Sequence, residues 1–271
     1  MSEIIIYSLV VLSIILVLIA NKETYWKDHL KFTLKLKLEI LICIVLLVLS
    51  YAATEIHKVK KKEYTEFTIG SLGTESIQEI NFIDRSIAGR WDIEAKNQGK
   101  IIKNIAIYIL PFSLFLFMGS FKRRAVLFFI FAQGYVLTET LTGLAKGLVD
   151  RYRPFSYVSA SGIENLSAKA KEKFLEDIFD YDILNSFFSG DASIIGYGFV
   201  FFAISYSIIY KKNKYNIFVW IATIISIFLG CYYRSLSGKH FPTDVIIGAV
   251  VGALVALGIL NLHLKKTNPF N

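Results

Sequence analysis

The chain has 271 residues, of which 54% are hydrophobic and 19% charged, with a mean hydropathy of +0.51 and a formal net charge of +8. Apolar runs as long as those it contains exclude a soluble domain and place the protein in a membrane. The positive charge does not mark a nucleic-acid binder, because the lysines and arginines gather in short segments between the apolar runs.

A helix that crosses a bilayer needs roughly 20 mostly apolar residues. Seven segments approach that length: 3–20, 38–53, 103–120, 125–146, 190–210, 217–236 and 244–264. The first opens "MSEIIIYSL", with neither the basic start of a cleaved signal peptide nor a small-residue cleavage site, so it is expected to be retained as a helix. Cys43 and Cys231 lie in or at the end of apolar segments without metal-like spacing, the pattern of packing residues. Basic residues cluster in 21–37, 121–124, 210–216 and 264–266, and these alternate along the chain with the connections 54–100, 147–187 and 237–243. The positive-inside rule puts the first set in the cytoplasm and the second on the outer face.

The expected fold is an all-α polytopic bundle of about six to seven spanning helices. Residues 1–100 form its N-terminal helices and an amphiphilic outer loop along the headgroups, and residues 101–271 form its functional core. In the outer connection 147–187, Ala170, Phe174 and Ile178 recur every four residues, which predicts a short helix on the membrane surface. In the last span, Gly248 and Gly252 have the spacing that lets two helices approach closely.

Three charged clusters fall at the outer ends of spans. "AKGLVDRYRPF" holds Lys146 and Arg153, "SFFSGDAS" holds Ser189, Gly190 and Asp191, and "YRSLSGKHFPTD" holds Arg234, His240 and Asp244. Together they compose an oxyanion site. Lys146, Arg153 and Arg234 supply three cations, and the arginine fork matches phosphate oxygens. Ser189 is a good N-cap, Gly190 allows close backbone approach, and the N–H groups of a helix start favour an anion. His240 supplies a nucleophile. Asp244, four residues on, is placed to fix the histidine tautomer as the carboxylate does in a catalytic triad. Glu139, two turns before Lys146, is a further intramembrane charge: either a functional residue with Lys146 or an arginine as its partner, or a structural polar contact between helices, the preferred reading.

This order, Lys-x6-Arg-Pro, then Ser-Gly, then Arg-x5-His-x3-Asp, resembles the three-part signature of the type 2 phosphatidic acid phosphatase superfamily, which includes membrane lipid phosphatases and vanadium haloperoxidases. The resemblance covers about residues 125–261. It implies that His240 attacks phosphorus to form a phosphohistidine that water hydrolyses, that the cations and the Ser-Gly backbone hold the phosphoryl oxygens, and that no metal or other cofactor is required. Three positions depart from the signature: Tyr233 replaces a serine, Phe188 a proline, and Asp191 the histidine that protonates the leaving group. Asp191 is the expected acid in its place. The tract "SGDAS" is similar to the lipid A 4'-phosphatase branch, which implies a lipid A phosphomonoesterase at the periplasmic face of a bacterial inner membrane. Undecaprenyl pyrophosphate, phosphatidylglycerophosphate and phosphatidic acid are the alternative substrates. A non-catalytic lipid-phosphate binder or transporter is the alternative from another class, and the expected partners are a membrane lipid and the bilayer.

Overall fold

The computed structural model describes residues 34–66, 77, 80–117, 121–158, 164, 166–178, 180–209 and 215–264. The span expected at 3–20 lies outside the described residues, as do most of the basic segments. What remains is helical, with no strand among the described residues. Helix α1 (Leu36–Glu66) is followed by a single turn, α2 (Phe82–Arg85), and by α3 (Ile93–Asn104), which passes through a π turn (Ile105–Ile109) into α4 (Leu110–Phe117). Then come α5 (Phe121–Leu148), α6 (Ala168–Ile178), α7 (Gly190–Ile209), α8 (Asn216–Leu236) and α9 (Pro242–His263). Five of these, α1, α5, α7, α8 and α9, are long and apolar enough to cross a membrane.

The third expected span, 103–120, is part of a longer run that starts ten residues earlier. Asp92 caps α3, its Oδ1 accepting from the N–H groups of Glu94 and Ala95 at 3.0 Å each. The connection 54–100 is therefore more than a loop along the headgroups, since from Ile93 onward it is a helix that enters the bundle. The π turn lets the run meet α7 closely: a Cβ on Gly198 would lie 2.5 Å from the carbonyl oxygen of Ala106.

Cross-helix contacts fix the directions. Glu39, Ser50 and Lys60 of α1 pair with Gln133, Thr140 and Asp150 in or just after α5, so the two helices run parallel and the α3–α4 run makes the return. Helices α7 and α9 are also parallel, and they touch through backbone. A Cβ on Gly252 would sit 1.8 Å from the Ser193 carbonyl oxygen, on Gly248 2.5 Å from that of Ser189, and on Gly196 2.3 Å from that of Ala249. The spacing of Gly248 and Gly252 thus has the use expected of it, with Gly196 completing the contact from the other side. Behind it lies an apolar core of Phe129, Ile130, Tyr197, Phe201, Ala256 and Leu260. Cys43 packs with Leu46 and Val136, and the Cys231 thiol points at the Val245 carbonyl at 3.7 Å; both are free thiols.

At one end of the bundle Glu39, Gln133 and His263 form a buried polar cluster. His263 Nε2 lies 3.1 Å from Glu39 Oε1, its Nδ1 donates to the Ile259 carbonyl at 2.8 Å, and Gln133 donates to Glu39 Oε2 at 2.9 Å. The Glu39–His263 pair is tolerable in an apolar interior because both side chains are hydrogen-bonded, whereas Gln133 Oε1 is buried without a partner among the described residues. The signature residues all lie at the opposite end.

If the α7–α9 contact holds the bundle, Gly252→Ala should cost roughly 1–3 kcal/mol and lower the melting temperature in detergent by roughly 5–10 °C. Gly258→Ala, on the same helix but with nothing among the described residues within 4 Å of the added methyl, should leave it unchanged. Equal melting of the two variants would show that the contact carries no stability.

Candidate active site

Parallel packing of α7 and α9 brings two helix N-termini side by side. Ser189, just before α7, donates its N–H to the Asp244 carbonyl of α9 at 3.1 Å. Ser189 Oγ accepts from the Ala192 N–H at 3.3 Å, so this serine is an N-cap as expected. The end of α5, the 3₁₀ turn Pro154–Tyr157 and the turn from α8 to α9 close around them.

The segment 80–92 ties these pieces together. Gly89 N–H donates to the Pro154 carbonyl at 2.7 Å, Arg90 Nε to the Leu236 carbonyl at 3.1 Å, and Phe155 N–H to the Gly238 carbonyl at 3.1 Å. Gly238 has φ +72°, and a Cβ there would lie 1.7 Å from the Arg90 carbonyl oxygen, so the turn before His240 accepts only glycine.

A cavity of about 420 Å³ opens at this end of the bundle. Lys146, Arg153, Gly190, Asp191, Arg234 and His240 all line it, whereas Ser189 and Asp244 lie behind its wall. Eight positions chosen from sequence are therefore brought to one place, six of them at the surface of the cavity. Glu139 lines it too, with no hydrogen bond or ion pair among the described residues, so the expected contact between helices is not made.

His240 is buried, and its Nδ1 is 2.6 Å from the carbonyl oxygen of Ser186. That contact requires the proton on Nδ1 and leaves the lone pair of the neutral ring on Nε2. Nε2 has no partner among the described residues. Burial, and then the charges of Arg153, Arg234 and Lys146, push the pKa of His240 well below 6.5. The imidazole is neutral at physiological pH.

Asp244 does not meet His240, contrary to the expectation from their spacing. His240 and Phe241 precede the helix, so the one-turn geometry of a helix face does not apply to them. The Asp244 carboxylate turns back to accept from the Phe241 N–H at 3.2 Å and from Ser186 Oγ at 2.5 Å, and pairs with Arg151. It therefore reaches the histidine through Ser186, one residue serving Asp244 with its hydroxyl and His240 with its carbonyl. Arg151 in turn stacks on the Phe241 ring at 4.5 Å and pairs with the fully buried Asp84 at 2.7 Å. Asp84 also accepts from the N–H and Oγ1 of Thr243, at 3.0 and 2.6 Å. Burial would raise the Asp84 pKa, but these hydrogen bonds outweigh it and hold the group below its ordinary value. Arg151, Asp84 and Ser186 were not singled out from sequence; the sole signal was an arginine two residues before Arg153.

The cations are distributed unevenly. Arg153 is spanned by Asp182, donating to its carbonyl at 2.7 Å and its carboxylate at 2.5 Å. Although burial opposes it, Arg153, Lys146 and Lys239 hold Asp182 at a pKa of about 2. Lys146 has no hydrogen bond or ion pair among the described residues. Arg234 pairs with Asp191 through Nη1 at 3.0 Å, but its Nε is buried without a partner among the described residues. Such an orphaned donor at a cavity wall marks a place for an acceptor. Lys239 pairs with Asp177 at 2.6 Å and lies over the Phe155 ring at 4.7 Å; burial and Arg153 lower its pKa to about 8 against the pull of Asp177.

Asp177 belongs to α6, the surface helix expected around Phe174. Phe174 is fully buried between Phe155 and Trp91, which presents Asp177 to the cavity. Asp191 meets two cations, Lys103 at 2.9 Å and Arg234 at 3.0 Å.

A family model described as the PAP2 superfamily matches residues 109–268, more than half of the chain. No curated protein and no solved structure matches it.

These shifts define a pH profile for any reaction in this cavity that needs the His240 lone pair. Because the His240 pKa lies well below 6.5, kcat/KM should show no acid limb near pH 6.5. Because Lys239 loses its proton near pH 8, an anionic ligand should bind more weakly above that value. Lys239→Arg, charged throughout, should move the alkaline rise in KM upward by a unit or more, and an unmoved rise would assign it to another group.

Proposed function

Because the chain belongs to the PAP2 superfamily, whose members are phosphatases acting on lipid-like phosphates, we propose that it hydrolyses a phosphomonoester on a membrane lipid through a phosphohistidine. The observation that carries this reading is His240: its Nδ1 is locked on the Ser186 carbonyl, and its Nε2 is left at a cavity wall lined by Lys146, Arg153 and Arg234. A neutral imidazole held in one tautomer among three cations is suited to attack a phosphate dianion.

The phosphoryl group sits against Lys146, Arg153, the Arg234 Nε and the start of α7 at Gly190, with Ser189 capping that helix from behind. His240 Nε2 attacks phosphorus, a P–N bond forms, and the ester P–O bond breaks. The leaving oxygen takes a proton from the Lys103–Asp191 pair, which stands where the signature has its acidic histidine. In this arrangement Asp191 is the carboxylate that positions the Lys103 ammonium, a different role from the lone acid expected from sequence. Water then attacks phosphorus and gives a proton back to the Lys103–Asp191 pair, the P–N bond breaks, phosphate leaves and the lone pair returns to Nε2. Asp244, Ser186 and Arg151 hold the ring in place, and the cavity's own cations supply the charge compensation that a metal gives elsewhere.

The substrate favoured is lipid A, on the "SGDAS" tract. The positive-inside pattern supports a cavity at the outer face of the membrane, the periplasmic face of a bacterial inner membrane.

Purified protein in detergent should release inorganic phosphate from lipid A, with or without a chelator, and His240→Ala should lower the rate by about a thousandfold or more. Substantial release by that variant would sink the mechanism. Release confined to undecaprenyl pyrophosphate, phosphatidylglycerophosphate or phosphatidic acid would keep the mechanism and change the substrate. Binding of all four lipids without release would identify a binder.

For the proton donor, Asp191→Asn should lower kcat by about 100-fold. Asp191→His should recover part of that loss with an alkaline limb near pH 6.5, about the pKa of the new ring. An unchanged kcat in Asp191→Asn would remove Asp191 from proton transfer.

A further inference from the structure

The cavity does not stop at the signature residues. Its far wall is α3, which lies outside residues 109–268, and Lys96, Asn97, Lys100 and Lys103 line it. Three and four residues apart, these lysines form one face of the helix. Gly99 locks that face in place: it is buried, and a Cβ there would lie 2.9 Å from the Arg234 side chain, so α3 rests directly on a phosphate-site arginine.

Each end of the lysine row is tied to the catalytic wall through a shared carboxylate. Lys103 and Arg234 share Asp191, at 2.9 and 3.0 Å. Lys96 and Lys239 share Asp177, at 3.7 and 2.6 Å. Between the ends, Lys100 has no carboxylate partner among the described residues. In all, seven Lys and Arg line the cavity against four Asp and Glu. One phosphate dianion compensates two of the three surplus charges and, placed at His240, leaves Lys100 and the far end of the row unserved. At 1.5 Å per residue, Lys100 lies about 4.5 Å along the helix axis from Lys103, and Lys96 about 10 Å.

We propose that Lys96, Asn97 and Lys100 form a second anion subsite, so that the substrate head group carries two phosphates: one attacked by His240 and one held on α3. The inference rests on the phosphatase reading for the first phosphate and adds the chemical class of the substrate. The two phosphates are either joined as a diphosphate or borne on separate positions of one head group, and the probes below separate these cases.

The test reads binding without turnover. Full-length protein carrying His240→Ala, in detergent, is titrated by calorimetry with inorganic phosphate, inorganic pyrophosphate and glucose 1,6-bisphosphate. At least one two-phosphate probe should bind tenfold or more tightly than phosphate, and the better of the two identifies the joined or the separate arrangement. Adding Lys100→Gln should shrink that advantage at least fivefold, and Lys100→Arg should keep it. Equal affinities for all three probes, or an advantage indifferent to Lys100→Gln, would overturn the subsite. Either result is independent of whether the wild-type protein releases phosphate from lipids, so failure of the subsite and failure of the phosphatase reading are told apart.

Discussion

The site depends on the parallel backbone contact between α7 and α9. Gly196, Gly248 and Gly252 remove the side chains that would hold the helices apart, and the shared approach sets both N-termini at the same level. Each N-terminus carries a partial positive charge and unpaired N–H groups. Two of them side by side create a positive field in a poorly screened environment before any lysine or arginine is counted. Wider separation would break the Ser189 to Asp244 hydrogen bond and with it the arrangement around Ser186 that holds His240.

Around that pair of helix ends, the charged side chains form chains rather than isolated bridges. One runs Asp84, Arg151, Asp244, Ser186, His240, and it fixes the His240 ring from behind. Two others, Lys103–Asp191–Arg234 and Lys96–Asp177–Lys239, lie at the cavity surface and hold its cations apart. The division has a physical basis. Contacts of the first chain are made to backbone and buried groups and give rigidity, whereas the carboxylates of the other two occupy donors that an anionic ligand would also use.

The spans were legible because lipid imposes a length on apolar runs, and four of the expected segments, 125–146, 190–210, 217–236 and 244–264, match α5, α7, α8 and α9 to within a few residues. The cavity-lining signature residues were legible because their chemistry is rare at a membrane boundary. The start of α3 was not: its mostly polar first half has no apolar stripe, and its helical state is set by the Asp92 cap and by packing on α8 through Gly99. Arg151 and Asp84 were hidden for a different reason, since a pairing across 67 residues leaves no periodicity in either partner's neighbourhood. The Asp244 expectation failed through local geometry, because the carboxylate near a helix start is drawn to the N–H groups there before it can serve a residue outside the helix.

The buried cluster of Glu39, Gln133 and His263 has a consequence for biosynthesis. Glu39 and His263 are 224 residues apart, and Gln133 is 94 residues from Glu39. At roughly 5–20 residues per second on the ribosome, Glu39 waits about 5–20 s for the amide and about 11–45 s for the imidazole. During that interval α1 carries an incompletely satisfied carboxylate at its membrane entry. Arrival of the last helix both supplies the imidazole contact to Glu39 and brings α9 against α7, so the nascent chain completes its cavity end and closes its opposite end in a single late event.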